Sequence, residues 1–202
     1  MNMHFTSKAD TLAELEGKIK YACVLPQFSF TSKMWNAADK DVDLLWNDRP
    51  KWADGLLIVR SSGQAEDSSK ESLAGHYATV ANVTTKSQLK SAIKTVYQSF
   101  LDDNPQNQIF IQPMLENIFI SGVAFTRDPS NGSYYSIINY DDQSSDTASV
   151  TSGKSNDLKI YYHSDDAPLP EANWLLQLIL LLKELKEHFR NDALDIEFAF
   201  DH

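Results

Sequence analysis

The sequence predicts an α+β chain of two lobes, and three observations carry that expectation. Between Thr85 and Leu101 the apolar residues Leu89, Ile93, Val96, Tyr97, Phe100 and Leu101 recur at helical spacing, behind a Thr85/Gln88 pair of capping-box type. Beyond residue 105 the pattern changes to short strand-like runs at 109–115, 119–127, 134–140, 147–151 and 158–163. Asp102-Asp103-Asn104-Pro105 separates the two regimes. The predicted lobes are therefore 1–105 and 106–202. Nucleotide sites commonly lie between such lobes.

Taken in order, residues from Ser7 to about Gly17 read as a helix with Leu12, Leu15 and then Ile19 on one face. Residues 31–46 carry a helical stretch around Met34, Trp35, Leu44, Leu45 and Trp46, interrupted by polar residues. Strands follow at 56–61 and 77–83, then the capped helix already described. Trp174 to Leu182 is the densest apolar run, far below the ~20 residues that span a bilayer, and it passes directly into Lys183, Glu184, Lys186 and Glu187. It reads as a buried helix introduced by Pro168 and Pro170, capped by Asn173, with Arg190 favourable to its C-terminal dipole. A strand at 194–200 closes the chain.

The 202 residues are 42% hydrophobic and 11% aromatic, enough for a substantial core. A net charge of −10 disfavours a nucleic-acid surface, which needs clustered Lys and Arg. Cys23 is the single cysteine and forms no intrachain disulfide, and MNMHFTSKAD lacks the apolar core of a signal peptide. The expectation is a cytoplasmic protein without a membrane span. His4, His163, His188 and His202 have no convergent Cys or His partners, so no zinc site is suggested.

Two segments carry chemistry. Leu57-Ile58-Val59-Arg60 is an apolar strand that ends on an arginine, followed by small residues, Ser61, Ser62 and Gly63, and later Ala74 and Gly75. A guanidinium offers five donors in a planar fork and suits phosphate oxygens, and the small neighbours let backbone N–H groups approach the same anion. Pairing of Arg60 with Glu66 or Asp67 across a surface turn is the alternative. In the last strand Leu194, Ile196, Phe198 and Phe200 alternate with Asp195, Glu197, Ala199 and Asp201, so the carboxylates of Asp195 and Glu197 project together. Hard oxygen ligands of that kind suit Mg²⁺ holding substrate phosphates, and a solvated acidic edge is the alternative.

The run VRSSGQAEDSSKESLAGHYATV resembles the Val-Arg-Ser-Ser-Ala-x-Ala-Glu-Asp...Phe-Ala-Gly signature of the nucleotide-binding domain of pyruvate phosphate dikinase and phosphoenolpyruvate synthase. Ile111-Gln112-Pro113-Met114 resembles that family's hinge strand, Ser121 to Pro129 its Ser-Gly-Val-x-Phe-Thr-x-Asp-Pro run, and Asp195-Ile196-Glu197-Phe198-Ala199 its metal-holding Asp-Ile-Glu-Trp-Ala strand. The resemblance implies the ATP-grasp fold, two α+β lobes that close on ATP. By position it implies that Arg60 contacts phosphates, Gly75 and Thr79 lie along the phosphate-covering hairpin, and Gln112 sits beside adenine. It further implies Glu197 as the stronger Mg²⁺ ligand with Asp195 second, and Lys8 as the counterpart of the lysine in an N-terminal Gly-Gly-Lys motif whose glycines this chain lacks. His76 occupies a variable position beside Gly75; the family's phosphohistidine belongs to a separate domain.

The implied activity is phosphoryl transfer from Mg-ATP to that histidine, with the histidine and acceptor-binding domains in a longer chain and no turnover by this stretch alone. Two departures stand out. Asn139 to Asp146 replaces a Gly-Leu-Gly-Glu loop, and the chain stops at His202 where the family continues to a Gln-x-Arg strand, so the resemblance implies a C-terminal lobe cut before its last strand. A nucleotide-binding regulatory module without turnover, and a structural interaction domain without nucleotide, are the other readings.

Overall fold

The computed structural model of the chain describes residues 6–63, 77–143 and 158–202. They form two compact units, one from Phe5–Lys18 with Val24–Met114 and the other from Ile19–Cys23 with Leu115–His202, as far as these are described. The expected break at Asp102–Pro105 is instead the loop into a strand of the first unit's sheet; the changeover falls between Met114 and Leu115. Physically, that strand is bound to its neighbours on both edges, so no boundary can precede it.

The first unit holds a four-stranded antiparallel sheet in the order β1-β4-β2-β3, with β1 Phe28–Thr31, β2 Leu57–Ser62, β3 Thr79–Val83 and β4 Gln108–Pro113. Helix α4, Lys86–Gln98, starts at the expected capping box: Thr85 Oγ1 accepts from Gln88 N–H, and Gln88 Oε1 accepts from Thr85 N–H. Its Leu89, Ile93 and Val96 pack with Leu57, Val59, Ile109 and Ile111 in one core. Leu101, beyond the helix end, is exposed rather than part of its apolar face. Helix α1, Lys8–Leu15, buries Ala9 and Leu15.

The stretch expected to be helical at 31–46 is two short helices, α2 Ser32–Ala37 and α3 Val42–Leu45. Asp39 and Lys40 break it by adopting positive φ, and Asp41 caps the second piece. Strand β1 was not anticipated. Phe-Ser-Phe-Thr is too short for its alternation to stand out, and pairing with β4 together with Phe28 stacking on Trp46 at 4.5 Å defines it.

The second unit holds an antiparallel sheet in the order β7-β6-β5-β8, with β5 Ile118–Phe125, β6 Tyr135–Asp141, β7 Lys159–Ser164 and β8 Asp195–Asp201. The apolar run forms helix α5, Asn173–Phe189, burying Leu178, Ile179 and Leu182. Ala172, not Asn173, is its N-cap, because Leu176 N–H bonds Ala172 O and draws Asn173 into the first turn. Among the described residues no helix is long and apolar enough to cross a membrane. The strand expected at 147–151 lies outside the described residues.

His163 of β7 is 2% exposed, and neither ring nitrogen has a hydrogen-bond partner. Burial first, then Lys183 and Lys186 of α5 against the opposing pull of Asp165, lowers its pKa from the ordinary value. The unfolded chain thus binds the proton more readily, so stability is lost as pH falls through about 6.5 towards the lower folded value. Between pH 7.5 and pH 5.5 the wild-type melting temperature is expected to fall more steeply than that of His163→Leu. Parallel curves would remove His163 from the account.

Candidate functional site

Alternation along β2 sends Leu57 and Val59 into the core under α4 and leaves Ile58, Arg60 and Ser62 on the opposite face. Register supplies their neighbours. Thr79 of β3 and Phe110 of β4 flank Arg60, Gln112 stands opposite Ile58, and Gln108 stands opposite Ser62. Arg60, Thr79 and Gln112, singled out from the sequence, therefore share one face. The Arg60 guanidinium lies 5.7 Å from the centroid of the fully buried Phe110 ring, a cation–π contact that orients the fork. Gln112 is buried and donates a long bond, 3.5 Å, to Leu25 O, whereas Thr79 is exposed. Gly75, like Glu66 and Asp67, lies outside the described residues.

The first turn of α1, which includes Lys8, is tied to the end of this face. Ser7 caps α1, accepting from Asp10 N–H, and its hydroxyl donates to Gln108 Oε1. Ala9 N–H donates to the buried Ser62 Oγ at 2.9 Å, and Gln27 Nε2 donates to Ala9 O at 2.6 Å. The other end of the Gln108 amide donates to the Asp10 carboxylate at 2.9 and 3.1 Å. Gln108 was missed in the sequence. Its signal was its spacing of four from Gln112, which puts both amides on one face of the strand, and only Gln112 drew notice.

In the second unit β8 is an edge strand. Ile196, Phe198 and Phe200 occupy one face, where Trp174 of α5 meets Phe200 edge-on at 6.0 Å. Asp195 and Glu197 project from the other face, exposed, opposite Phe125 and Val123, with Cβ atoms roughly 7 Å apart from the rise of two strand residues. On the same face, Ser121 pairs across to Ala199 and Asp141. Ser121 Oγ is buried without a hydrogen-bond partner, and buried Asp141 accepts from Gln143 N–H. Asp141 stands where the Gly-Leu-Gly-Glu loop was missing; sequence reading assigned no ligand there.

Magnesium takes one or two carboxylates together with waters and phosphate oxygens rather than a full protein cage. Asp195 and Glu197 fit that partial donor set. Among the described residues no group of three or more His, Cys, Asp or Glu is gathered to hold a metal.

Arg127-Asp128-Pro129 reads in the sequence as a strand end entering a Ser130-Asn131-Gly132 turn, and the backbone turns there, Gly132 N–H donating to Asp128 O at 2.8 Å. The Asp128 carboxylate accepts from Ser130 N–H and hydroxyl, Asn131 Nδ2 and Tyr135 OH, bonds that hold its pKa below the usual carboxylate range, with the Ser130 hydroxyl the largest cause. Arg127 pairs with Asp192, which raises its pKa, and its guanidinium lies 3.8 Å from the Tyr134 ring centroid. Thr126 Oγ1 donates to Asp192 O and accepts from Leu194 N–H, fastening the entry to β8.

The two units together define an α+β chain with a cationic, partly polar sheet face in one unit and a two-carboxylate edge strand in the other. Residues 47–107 match the family described as pyruvate phosphate dikinase, AMP/ATP-binding domain. The resemblance read from the Val-Arg-Ser-Ser run is thus borne out over the segment that carries Arg60 and Thr79, while Lys8, Gln112, Asp195 and Glu197 lie outside it. No curated protein matches the chain.

The strand that carries the carboxylates depends on Gly122. A Cβ there would stand 2.2 Å from the backbone Asn139 O and 2.7 Å from Phe198 Cζ, so β6 or β8 must shift. Gly122→Ala is expected to destabilise by roughly 1–3 kcal/mol or more, read as a lowered denaturant midpoint. An unchanged midpoint would mean that β5 yields without cost.

Proposed function

We propose that this chain is the ATP-binding domain of a phosphotransferase of the phosphoenolpyruvate synthase and pyruvate phosphate dikinase type, ATP-grasp-like, acting in the cytoplasm within a longer protein. The observation that carries the reading is Arg60 beside Thr79 on the non-core face of β2, inside the segment that matches an AMP/ATP-binding domain. Arg60 binds and orients phosphate oxygens through its planar fork, with Lys8 adding a second cation from the start of α1. The Gln112 amide, on the same face two residues along β4 from Phe110, supplies a donor and an acceptor to the base.

Glu197, with Asp195 second, would hold Mg²⁺. Bound there, the metal neutralises charge on the nucleotide phosphates. The residues of this chain bind and orient; the phosphoryl acceptor is a histidine on a separate domain, and the final acceptor is chosen by domains beyond this stretch. A second reading, nucleotide binding without turnover, draws support from Thr6-Ser7 and from Asp141-Asp142-Gln143 standing where the family carries glycines.

Isothermal titration with Mg-ATP tests the binding on which both readings stand. Wild type is expected to bind, and Arg60→Ala is expected to lose about tenfold to a hundredfold in affinity while melting near wild type, as for a lost charge-assisted contact. Equal affinity in the variant would reduce Arg60 to a surface cation. Glu197→Gln is expected to weaken Mg-ATP binding while leaving binding of metal-free ATP nearly unchanged. The same Mg²⁺ dependence in wild type and variant would overturn the metal assignment and return β8 to a solvated acidic edge.

A further inference from the structure

We propose that Gln108 is a positioning residue for nucleotide binding, acting through Lys8; the inference rests on the ATP-binding reading above. Arg60 and Ser62 project from the same face of β2, roughly 7 Å apart, and Gln108 faces Ser62 across the strand pair. The first turn of α1 is held over that end of the sheet. Ala9 N–H is bonded to Ser62 Oγ, and Gln108 grips the helix at two points, accepting from the Ser7 hydroxyl and donating to the Asp10 carboxylate. Lys8 lies between those points in sequence. A side-chain amide carries its acceptor oxygen and its donor nitrogen on separate terminal atoms, so it can satisfy a hydroxyl and a carboxylate together. Glutamate at 108 would face Asp10 with a like charge, and alanine would release both contacts.

In phosphate-binding loops rich in glycine, backbone N–H groups cradle the phosphates and the loop's own fold sets where its lysine stands. This chain has Thr6 and Ser7 before Lys8 instead. The side-chain clamp from β4 does that positional work here: it fixes the start of α1 relative to the strand that bears Arg60, so that the two cations keep a constant spacing.

A double-mutant cycle on Mg-ATP affinity, with melting temperature recorded for every variant, separates positioning from mere stability. Gln108→Ala is expected to weaken binding about tenfold in the wild-type background and to have no further effect in Lys8→Ala. Gln108→Glu is expected to weaken binding likewise, and Gln108→Glu combined with Asp10→Asn, which restores one donor opposite one acceptor, is expected to recover it. Additive losses, or lower melting temperatures with unchanged affinity, would make Gln108 a structural residue only. The exchanged pair keeps the test decisive should Gln108→Ala fold poorly, since failure to recover affinity in a folded exchanged pair would also overturn the role. Wild type that binds no Mg-ATP would instead overturn the functional reading, and this inference with it.

Discussion

The antiparallel pairing of β2 with β4 is the constraint on which the first unit depends. Its register runs unbroken from Leu57 opposite Pro113 to Ser62 opposite Gln108. In a sheet, a slip of one residue exchanges the two faces. Here such a slip would turn Val59 out of the core and drive Arg60 into the apolar layer beneath α4, where an unpaired guanidinium is strongly unfavourable. The same register therefore specifies the buried rows and the polar row. Burial of Val59, Ile109 and Ile111 is what holds Arg60, Thr79 and Gln112 on a common face.

The second unit solves a similar problem around β5. This strand is paired on both sides, and Gly122 admits close approach of Asn139 O on one side and the Phe198 ring on the other. Helix α5 covers the face that bears Phe200, Ala124 and Ile138, while the opposite face leaves Asp195 and Glu197 exposed. An edge strand bearing charge is a common protection against unwanted strand addition. The paired carboxylates serve that purpose whether or not a cation joins them, and only the dependence of nucleotide binding on the metal distinguishes the two roles.

Electrostatics follow local structure rather than total charge. A chain of net charge −10 presents Arg60 on a sheet face with Phe110 beneath it. The aromatic ring lies against the Arg60 guanidinium, while Arg127 is paired with the Asp192 carboxylate and fastens a turn. The buried, unpartnered Ser121 Oγ beside Asp141 shows that the polar row of the second sheet continues inward from the exposed acids.

Elements with strong local signals were legible in the sequence: α4 from its period and capping box, β2 from an apolar run ending at Arg60, β8 from strict alternation, and the Ser130-Asn131-Gly132 turn from its residues. Periodicity reports which residues share a face, and capping chemistry is local, so both can be read without knowing the fold. The segments that escaped were those defined by distant partners. Strand β1 exists through β4 and Trp46, the 31–46 stretch splits where Asp39 and Lys40 turn, and the N-cap of α5 moves to Ala172. The sequence by itself determined that Arg60 follows an apolar strand run and that Asp195 and Glu197 share a face, whereas the strand continues past Arg60 to Ser62 through its pairing with β4. Only the tertiary structure decided that Gln108, one hundred positions from Lys8, grips the turn in which that lysine stands, because hydrogen bonds between side chains remote in sequence leave no periodic trace.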